Sequence, residues 1–565
     1  MRKTFIGRGV LLLFCAVGTA AGGEATASAQ TAGINMGAPV WNGDVAKDAL
    51  LAATGTGAAH VRVNFRLDAW SAPGDLTKVK GKTFFEAYDE IVDTITSQGL
   101  EVYGLLNDEL APGLGTGDVF EAAYAANALA VIDRYKDRVR VWETINEPND
   151  YAGGTSARFT PSAFASAHAR VYDVVKRAHA GDACWDVKIV TGPLFSFDGV
   201  SASDYLDATI AAGRAGGRWK TVRDALGRDP IDDVGYHLYV AQGPDSPPAE
   251  VGASAGANLA AIRSVIDKYA LGDKKVWISE IGYRLPLFDE AGQAARVDTL
   301  FAALGARSDV ASIQWFTIGD FGGEGWGLFG ASFAAKDRRP SYDRFVAQAK
   351  AHAPALAAKL EVSMPSKIAA GATVVAKVKA TNLGTSTWRS SDDVRIGAAS
   401  GCPSAWAVNE VAWKPAASDG YASSPTDARR FLGSSTLAPG ESLTFDVPVV
   451  APTELGKQRF AARMVREGVA WFGSTAIADV EIVPASTPPG GGPGGGGASS
   501  AGGPPPPGGS GAAVEPSAGN GDTSSGCSCR TSGGTGDDAG SAARGIALAL
   551  GLAILAFRVR ARGRL

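Results

Sequence analysis

The sequence predicts an α/β protein whose main part is a (β/α)8 TIM barrel, followed by a smaller all-β domain. Between residues 34 and 350, eight apolar runs alternate with amphipathic stretches of helical period. The runs are rich in Val, Ile and Leu and do not alternate with polar residues, which is typical of parallel strands buried on both faces. Eight strand–helix units in about 320 residues are what such a barrel requires.

An open, doubly wound sheet is the alternative fold for this alternation. Such a sheet usually carries a Gly-rich phosphate-binding turn after its first strand. Here the first run is followed by Pro39, Val40, Trp41 and Asn42, which favours the barrel. The predicted strands are 34–39, 60–65, 101–106, 139–145, 187–192, 234–240, 275–281 and 311–318. The helical patterns include 84–97, 119–135, 162–178, 257–269 and 291–304.

Length and composition restrict the possible functions. A chain of 565 residues is too long for one compact core, so several domains are expected. The net charge of −4 gives no basic surface for nucleic acid, and we expect no nucleic-acid partner. The five cysteines form neither a dense disulfide framework nor a zinc-ligand pattern, and no metal or organic cofactor is predicted.

The N-terminus has the pattern of a secretory signal. Arg2 and Arg8 give it a basic start, residues 10–17 are apolar, and residues 27–29 are small, as at a cleavage site. The alternative, an uncleaved anchor, is disfavoured because the apolar run is too short to span a bilayer. The sequence therefore predicts a signal peptide over 1–29 and export of the protein.

Two glutamates lie at the ends of predicted strands within the barrel region, residues 30–355. Glu147 follows the fourth strand in the sequence Asn146-Glu147-Pro148, and Glu280 lies near the end of the seventh. A carboxyl held at the end of a buried strand is partly desolvated, which raises its pKa and suits it to donate a proton. Two such carboxylates are what hydrolysis of a glycosidic bond requires, although either one alone could be an ordinary solvated loop residue.

Other polar side chains should collect at the same rim, because the carboxyl ends of all barrel strands meet there. Arg62 lies inside the second strand, where an arginine is rarely buried without a carboxylate partner. His237 and Tyr239, in the sixth strand, are two positions apart and should face the same way. Trp315 lies in the eighth strand. His237 could also be a structural residue, and Trp315 could belong to the core.

Three further carboxylates compete with this pair. Glu143 lies inside the fourth strand, and we expect it to form a structural ion pair rather than to act as the acid. Asp320 and Glu324 lie near the rim and could be mistaken for the nucleophile.

The barrel region resembles the retaining glycoside hydrolases of the "4/7" superfamily, the cellulase-like clan that includes family 5. Asn146-Glu147-Pro148 and Glu280 carry the resemblance, and the His-x-Tyr of His237 and Tyr239 is similar to that of family 5. The resemblance implies that Trp315 forms the floor of the sugar site and that Arg62 lies beside the nucleophile. The sequence departs from many family 5 enzymes at Ile145, where they carry Trp, and at 106–108, where they carry His.

The resemblance also implies a role for each residue. Glu147 would be the general acid and then the base, and Glu280 the nucleophile. Asn146 would hydrogen-bond the sugar 2-hydroxyl. Tyr239 would donate a hydrogen bond to Glu280, and His237 would orient the substrate or a carboxylate.

Residues 359–484 show short alternating strands and turn signals typical of an antiparallel sandwich. Residues 380–388 and 469–473 resemble the Ig-like central domain of the autophagy receptor "next to BRCA1". The resemblance implies a spacer or a binding accessory, and a spacer is favoured over a carbohydrate-binding module.

The C-terminal part of the chain changes character again. Residues 485–526 are rich in Pro, Gly and Ser and should form a disordered linker. Within 527–565, Cys527 and Cys529 precede an apolar run of 13 residues and then four arginines. This order resembles the C-terminal sorting signal of myxobacterial surface proteins, with the Cys pair as the processing or attachment site. A plainer interpretation is a stop-transfer segment with cytoplasmic Arg, and a disulfide or a free thiol pair remains open for the cysteines.

Together these patterns predict an exported, surface-tethered retaining glycoside hydrolase that acts on a β-linked polysaccharide or oligosaccharide. Its location would be the cell surface or outer envelope, with the C-terminal segment as the membrane contact. The alternative is a non-catalytic glycan-binding or adhesion protein on the same barrel scaffold. The sequence leaves the sugar, the linkage and the mode of attack open.

Overall fold

The computed structural model describes residues 30–36, 44–67, 69–136, 138–150, 158–178, 187–196, 201–320, 324–398, 413–415, 429–433 and 435–485. These residues belong to the first of two compact units, Met1–Ala485. The predicted signal peptide, the linker and the segment with Cys527 and Cys529 lie outside the described residues. Within the described part of the chain, no helix combines the length and the apolar character needed to cross a bilayer.

A curled parallel sheet of nine strands forms the N-terminal part of the molecule. Its strands are β1 (Thr31–Asn35), β2 (His60–Phe65), β3 (Glu101–Leu106), β4 (Val141–Thr144), β5 (Lys188–Val190), β6 (Leu194–Phe195), β7 (Val234–His237), β8 (Val276–Ile281) and β9 (Val310–Trp315). The helices between and after them are α1 (Asp44–Thr54), α2 (Phe84–Ser97), α3 (Asp118–Tyr135), α4 (Pro161–Ala178), α5 (Ala202–Ala215), α6 (Gly217–Leu226), α7 (Pro248–Lys268), α8 (Glu290–Leu304) and α9 (Pro340–Ala351).

The sheet closes into a barrel with eight strand positions. The strand order is β5-β4-β3-β2-β1-β9-β8-β7-β6, so the first and last strands pair through β1 and β9. Strands β5 and β6 share the fifth position, and a parallel bridge from Val190 to Asp233 joins β5 to the residue before β7. The predicted α/β barrel is confirmed. The first predicted strand, 34–39, is displaced, because β1 ends at Asn35.

Side chains alternate between the two faces of the barrel wall. On β2, Val61, Val63 and Phe65 face outward into the large core between strands and helices, where Phe65 stacks on Tyr88 of α2 at 4.6 Å between ring centres. Helix α2 begins at a capping box, in which Thr83 and Glu86 satisfy each other's backbone N–H groups. The inner face of β2 carries polar residues, including Arg62, which therefore point into the barrel.

The remaining described residues form a two-layer β domain. Its strands are β10 (Ala358–Ser363), β11 (Lys367–Ala369), β12 (Thr373–Asn382), β13 (Trp388–Arg389), β14 (Val394–Ala398), β15 (Lys414–Pro415), β16 (Arg429–Phe431), β17 (Thr436–Leu437), β18 (Ser442–Val450), β19 (Gly456–Arg466) and β20 (Ala470–Val483). The sheets β10-β12-β18-β15 and β11-β20-β19-β14-β16 enclose one apolar core, separate from that of the barrel. The strand pairs of the two sheets are antiparallel except for β11 and β20, which run parallel. A two-sheet domain at this place agrees with the sequence, and its Ig-like character remains a prediction.

The β domain contacts the barrel at the end remote from the strand carboxyl termini. Ser474 donates a hydrogen bond from Oγ to the Thr96 carbonyl oxygen at 2.8 Å, near the end of α2. Arg463 pairs with Glu101, the first residue of β3, at 3.3 Å. The rim that carries the polar residues is at the other end of β3, so the β domain leaves it free.

A glycine in β7 makes room for a buried carboxylate. A Cβ atom added at Gly235 would collide with Oε1 of Glu143 and would lie 2.6 Å from the Thr191 carbonyl oxygen. We therefore expect Gly235→Ala to lower the free energy of unfolding by about 1–3 kcal/mol through overpacking. Gly256→Ala in α7 is the control, because nothing lies within 4 Å of its added Cβ.

The control should raise the free energy of unfolding by about 0.5–1 kcal/mol, the usual gain of Ala over Gly inside a helix. Urea unfolding followed by circular dichroism measures both variants. Equal effects of the two substitutions would contradict the close approach of Gly235 and Glu143.

Candidate active site

The carboxyl ends of the barrel strands bring six of the predicted site residues together. These residues are Arg62, Asn146, Glu147, His237, Tyr239 and Glu280. The seventh, Trp315, is not among them. The predicted processing residues Cys527 and Cys529 lie outside the described residues and stay a prediction.

The Arg62 guanidinium is the centre of the cluster. Its side chain is 3% exposed and donates from Nη1 to Oε1 of Glu280 at 2.6 Å. Its Nε and Nη2 both donate to Oε2 of Glu143, at 3.0 and 2.9 Å, and Nη2 also donates to Oδ1 of Asn146 at 2.9 Å. Glu143 and Glu280 hold the pKa of Arg62 above its ordinary value although burial acts in the opposite direction. One buried cation on β2 thus binds side chains of β4, of the turn after β4 and of β8.

Glu143 is a structural carboxylate. Its side chain is fully buried, and besides Arg62 it accepts hydrogen bonds from Ser279 at 2.7 Å and from Tyr103 at 3.1 Å. Four donated hydrogen bonds leave it no free position for a substrate. The expectation that Glu143 forms an ion pair rather than acting as the acid agrees with this geometry.

A bulge in β8 aims Glu280 into the barrel. In a regular strand, residues 277, 279 and 281 share one face and Glu280 points the other way. Here Ile278 pairs with Tyr236 and Glu280 with His237, so β8 contains one more residue than β7 over this stretch. The same extra residue appears against β9, between Ile278 and Ile281. Ser279 and Glu280 therefore both face inward, as bulges next to functional sites often arrange.

Two further donors contact Glu280. Tyr239 donates to Oε2 at 2.8 Å. Asn35, which is buried, donates from Nδ2 to Oε1 at 3.2 Å. The sequence did not indicate Asn35, because the predicted first strand began at Ile34 and put Asn35 at the wrong end. Since β1 ends at Asn35, this residue lies on the same rim as the glutamates.

Glu147 lies on a strained turn directly after β4. Ile145 and Glu147 both adopt positive φ angles, +27° and +44°, which are unfavourable for residues other than glycine. Gly192 allows this turn, because a Cβ atom there would collide with the Ile145 carbonyl oxygen. Strain of this kind collects at functional sites.

Side-chain hydrogen bonds fix the backbone N–H and carbonyl groups of Asn146, which lies between Ile145 and Glu147. The Asn146 N–H donates to Oδ1 of Asn107 at 3.1 Å. The Asn146 carbonyl oxygen accepts a hydrogen bond from Arg158, whose guanidinium also pairs with Asp108 at 3.1 Å. Sequence reasoning missed Arg158, which lies beyond the strand end in a loop. These contacts fix the backbone from which Glu147 projects.

The protonated form of Glu147 is favoured by its surroundings. Burial, assisted by the negative charge of Asp150, raises the pKa of Glu147 to about 7, while Arg158 and Arg62 act in the opposite direction. The Glu147 side chain is 16% exposed, so it remains open to the rim.

His237 bridges the two glutamates. Its Nδ1 lies 2.6 Å from Oε1 of Glu147 and 3.6 Å from Oε2 of Glu280, and its Nε2 lies 3.5 Å from Nη2 of Arg62. Burial, with Arg62 acting in the same direction, lowers the pKa of His237 to about 3, so the ring is neutral at neutral pH. Because Arg62 can only donate, Nε2 accepts and the ring proton lies on Nδ1, directed at Glu147.

Trp315 does not form the floor of the site, contrary to the prediction. It has no exposed surface and packs in the outer core, 6.1 Å from Tyr283 between ring centres. Its neighbour Gln314 faces Gly33 inside the barrel, so Trp315 must point outward. The next residue, Phe316, is partly exposed and lies 6.4 Å from the Tyr239 ring. Phe316, the first residue after β9, is therefore the aromatic residue that this part of the chain contributes to the rim.

Two more aromatic rings surround Tyr239. Trp326 lies 5.5 Å and Phe195 lies 5.6 Å from its ring centre, both edge to face. Trp326 is also 6.0 Å from Phe316. The cluster gives the polar site an apolar wall.

Glu147, His237 and Glu280 each present one potential metal ligand, and the three atoms lie within 4.8 Å of one another. Carboxylate and imidazole groups can bind divalent cations. However, Glu280 already accepts hydrogen bonds from Arg62, Asn35 and Tyr239, and the guanidinium opposes a second positive charge. The donor set therefore fits a metal poorly, and the absence of a metal requirement stays a prediction.

No protein-family model matches the chain, and no curated protein matches it. Among solved structures, it is similar to a family 39 glycoside hydrolase from Bacteroides cellulosilyticus WH2, with 16% identity, 75% of this chain and 81% of that chain covered, and a TM-score of 0.40. It is similar to a glucosidase from Croceicoccus marinus, with 13% identity, 81% and 94% covered, and a TM-score of 0.43. A third is a family 5 enzyme from Streptomyces cattleya in complex with Manβ1-4GlcNAc, with 16% identity, 57% and 80% covered, and a TM-score of 0.40.

The charges around Glu147 predict opposite shifts in two variants. Arg158→Gln removes a positive charge that lowers the pKa of Glu147, so the pKa should rise. Asp150→Asn removes a negative charge that raises it, so the pKa should fall. Arg158→Lys keeps the charge and is the control. Carboxyl ¹³C NMR titration measures all three, and shifts of the same sign in the first two variants would contradict this electrostatic description.

Proposed function

We propose that the protein is a retaining glycoside hydrolase that cleaves a β-linked glycan by double displacement. The observation that carries the proposal is the spacing of Glu147 and Glu280, which present carboxylate oxygens within 4.8 Å of each other. Retaining enzymes hold their two carboxyl groups about 5–5.5 Å apart, whereas inverting enzymes need about 6.5–9.5 Å to admit a water molecule.

The different surroundings of the two glutamates support different roles. Glu280 receives three donated hydrogen bonds, one from a guanidinium, which suits a group that must carry negative charge. Burial raises the pKa of Glu147 to about 7, so this carboxyl holds a proton at a higher pH than an ordinary glutamate does. His237 donates to Oε1 of Glu147, which leaves Oε2 to hold that proton. Pairs of titratable groups with such contrasting surroundings are typical of acid and nucleophile.

The reaction follows from these roles. Glu280 attacks the anomeric carbon and forms a glycosyl ester, while the proton of Glu147 passes to the leaving glycosidic oxygen. Glu147, now ionised, then takes a proton from a water molecule that attacks the same carbon. The ester bond breaks, Glu280 is released as carboxylate, and Glu147 again holds a proton. Because the first step needs protonated Glu147, turnover should fall as the pH rises through about 7.

The rim suits a sugar substrate. Phe316, Trp326 and Phe195 provide apolar ring edges around Tyr239, and Asn146 is fixed by Arg62 beside the acid. Asn146 would contact the sugar 2-hydroxyl, and His237 would align Glu147.

We further propose that the enzyme is exported and held at the cell surface. The basic and apolar N-terminus supports export, and the order of Cys527, Cys529, apolar run and arginines supports a surface-sorting signal. The β domain would act as a spacer, because it contacts the barrel at the end remote from the site.

Loss and rescue of activity distinguish the two glutamates. Glu280→Gly should abolish turnover of aryl β-glycosides, and azide should restore it by forming the α-glycosyl azide, because the small anion attacks from the vacated side. Glu147→Gly should keep activity on aryl glycosides with good leaving groups, which need no proton, and azide should give the β-glycosyl azide. Product analysis by NMR measures both outcomes.

Glu290→Gln is the control for these variants, because Glu290 begins α8 and its side chain is 55% exposed. It should retain wild-type turnover. Identical behaviour of the Glu147 and Glu280 variants would show that the roles are wrongly assigned. A wild-type protein that binds glycans without any turnover would favour the non-catalytic adhesion function.

The C-terminal segment should affect location and not chemistry. Truncation after residue 484 should release soluble enzyme with unchanged turnover on small substrates, because the apolar cores of barrel and β domain end before that point. Cys527→Ala together with Cys529→Ala should reduce surface retention if the pair is the processing site. Cell fractionation measures both, and full-length protein free in the medium with its tail intact would contradict the anchoring proposal.

A further inference from the structure

Arg284 is a cation beside the site that the proposed reaction does not use. It follows β8, four positions after Glu280, and its side chain is partly exposed. Among the described residues, no carboxylate lies within ion-pair distance of its guanidinium, and its buried Nε has no hydrogen-bond partner. A partly desolvated guanidinium without partners is unfavourable, so a ligand that supplies an anion would stabilise it.

The other arginines around the site are paired within the described structure. Arg62 contacts Glu143 and Glu280, Arg66 pairs with Glu109 at 3.2 Å, and Arg158 pairs with Asp108. Their charges are therefore already compensated by the protein.

The position of Arg284 places it next to the aromatic wall of the site. Its guanidinium carbon lies 6.0 Å from the centre of the Trp326 ring. Trp326 in turn contacts the rings of Tyr239 and Phe316, and the Tyr239 hydroxyl binds Glu280. Two ring contacts thus connect Arg284 to Tyr239, whose hydroxyl binds the proposed nucleophile.

The acid nearest to this ring does not compensate Arg284. Glu324 accepts a hydrogen bond from Nε1 of Trp326 at 3.1 Å, which holds its carboxylate at the edge of the indole. It forms no ion pair with Arg284 within the described residues. Trp326 therefore binds the carboxylate through its indole N–H, while the guanidinium of Arg284 lies near its ring without a carboxylate partner among the described residues.

We propose that Arg284 is a specificity residue for an anionic sugar, and that the glycan substrate carries a carboxylate or a sulfate ester near the cleaved bond. This inference rests on the proposed function. A guanidinium presents planar, paired N–H donors that fit the two oxygens of a uronate carboxylate or of a sulfate. The face of Trp326 holds the cation in place on one side.

Binding measurements on full-length Glu147→Gln protein test the inference apart from turnover. The ligands are β1-3- and β1-4-linked glucuronate oligosaccharides, their methyl esters, and the corresponding neutral and 6-O-sulfated oligosaccharides. Calorimetry gives each Kd. The uronate or the sulfated ligand should bind about ten- to a hundredfold more tightly than its uncharged counterpart, as expected for a charge-assisted hydrogen-bonded pair.

Adding Arg284→Gln to Glu147→Gln should bring the ratio of charged to uncharged Kd close to one, and Arg284→Lys should leave an intermediate ratio. Arg338→Gln is the matched control, because Arg338 also lies over an aromatic ring, Tyr342, but pairs with Asp343 on the surface. Thermal melting confirms that each variant is folded.

Each outcome decides the inference. A preference for the uronate alone, or for the sulfate alone, that depends on Arg284 supports it and identifies the anion. Equal binding of charged and neutral ligands, no binding of any ligand, or a preference that survives Arg284→Gln overturns it. Charge-selective binding in a protein whose wild type hydrolyses no glycan would refute the proposed function while supporting the anionic site.

Discussion

The buried charge of Arg62 is the constraint on which the rest of the site depends. A guanidinium inside a barrel must be compensated, and Arg62 takes its compensation from Glu143 on β4 and Glu280 on β8. Removing one partner of such a buried pair typically costs about 3–5 kcal/mol, because the other charge is left uncompensated. Gly235, Tyr103 and Ser279 serve the same network by making room for Glu143 or binding it. The interactions that stabilise the barrel interior therefore also position the site residues.

This network gives three glutamates three different surroundings. Glu143 accepts four hydrogen bonds and is fully buried, so its role is structural. Glu280 shares the same cation but remains 10% exposed at the rim. Glu147 lies on a strained turn outside the ion pairs, and burial favours its protonated form. Chemistry that needs one charged and one protonated carboxyl can use this difference.

Much of the site could be predicted because the carboxyl ends of parallel strands meet at one rim. That rule placed Arg62, Asn146, Glu147, His237, Tyr239 and Glu280 together although up to 218 positions separate them. The predictions failed where a shift of one residue along a strand decides which way a side chain points. Asn35 was missed because the end of β1 was misplaced. Trp315 was expected at the site from the family resemblance, and strand parity could not correct this because β9 carries apolar residues on both faces. The bulge that turns Glu280 inward has no sequence signature, and Arg158 reaches Asn146 from a loop.

The central claim is that Glu147 and Glu280 act as a close pair, one giving a proton and the other attacking carbon. The most direct test is the configuration of the first-formed product, observed by ¹H NMR before mutarotation during hydrolysis of a β-linked oligosaccharide. The spacing within 4.8 Å predicts that the β-anomer appears first. Initial formation of the α-anomer would show that water attacks directly and would contradict this account of the site.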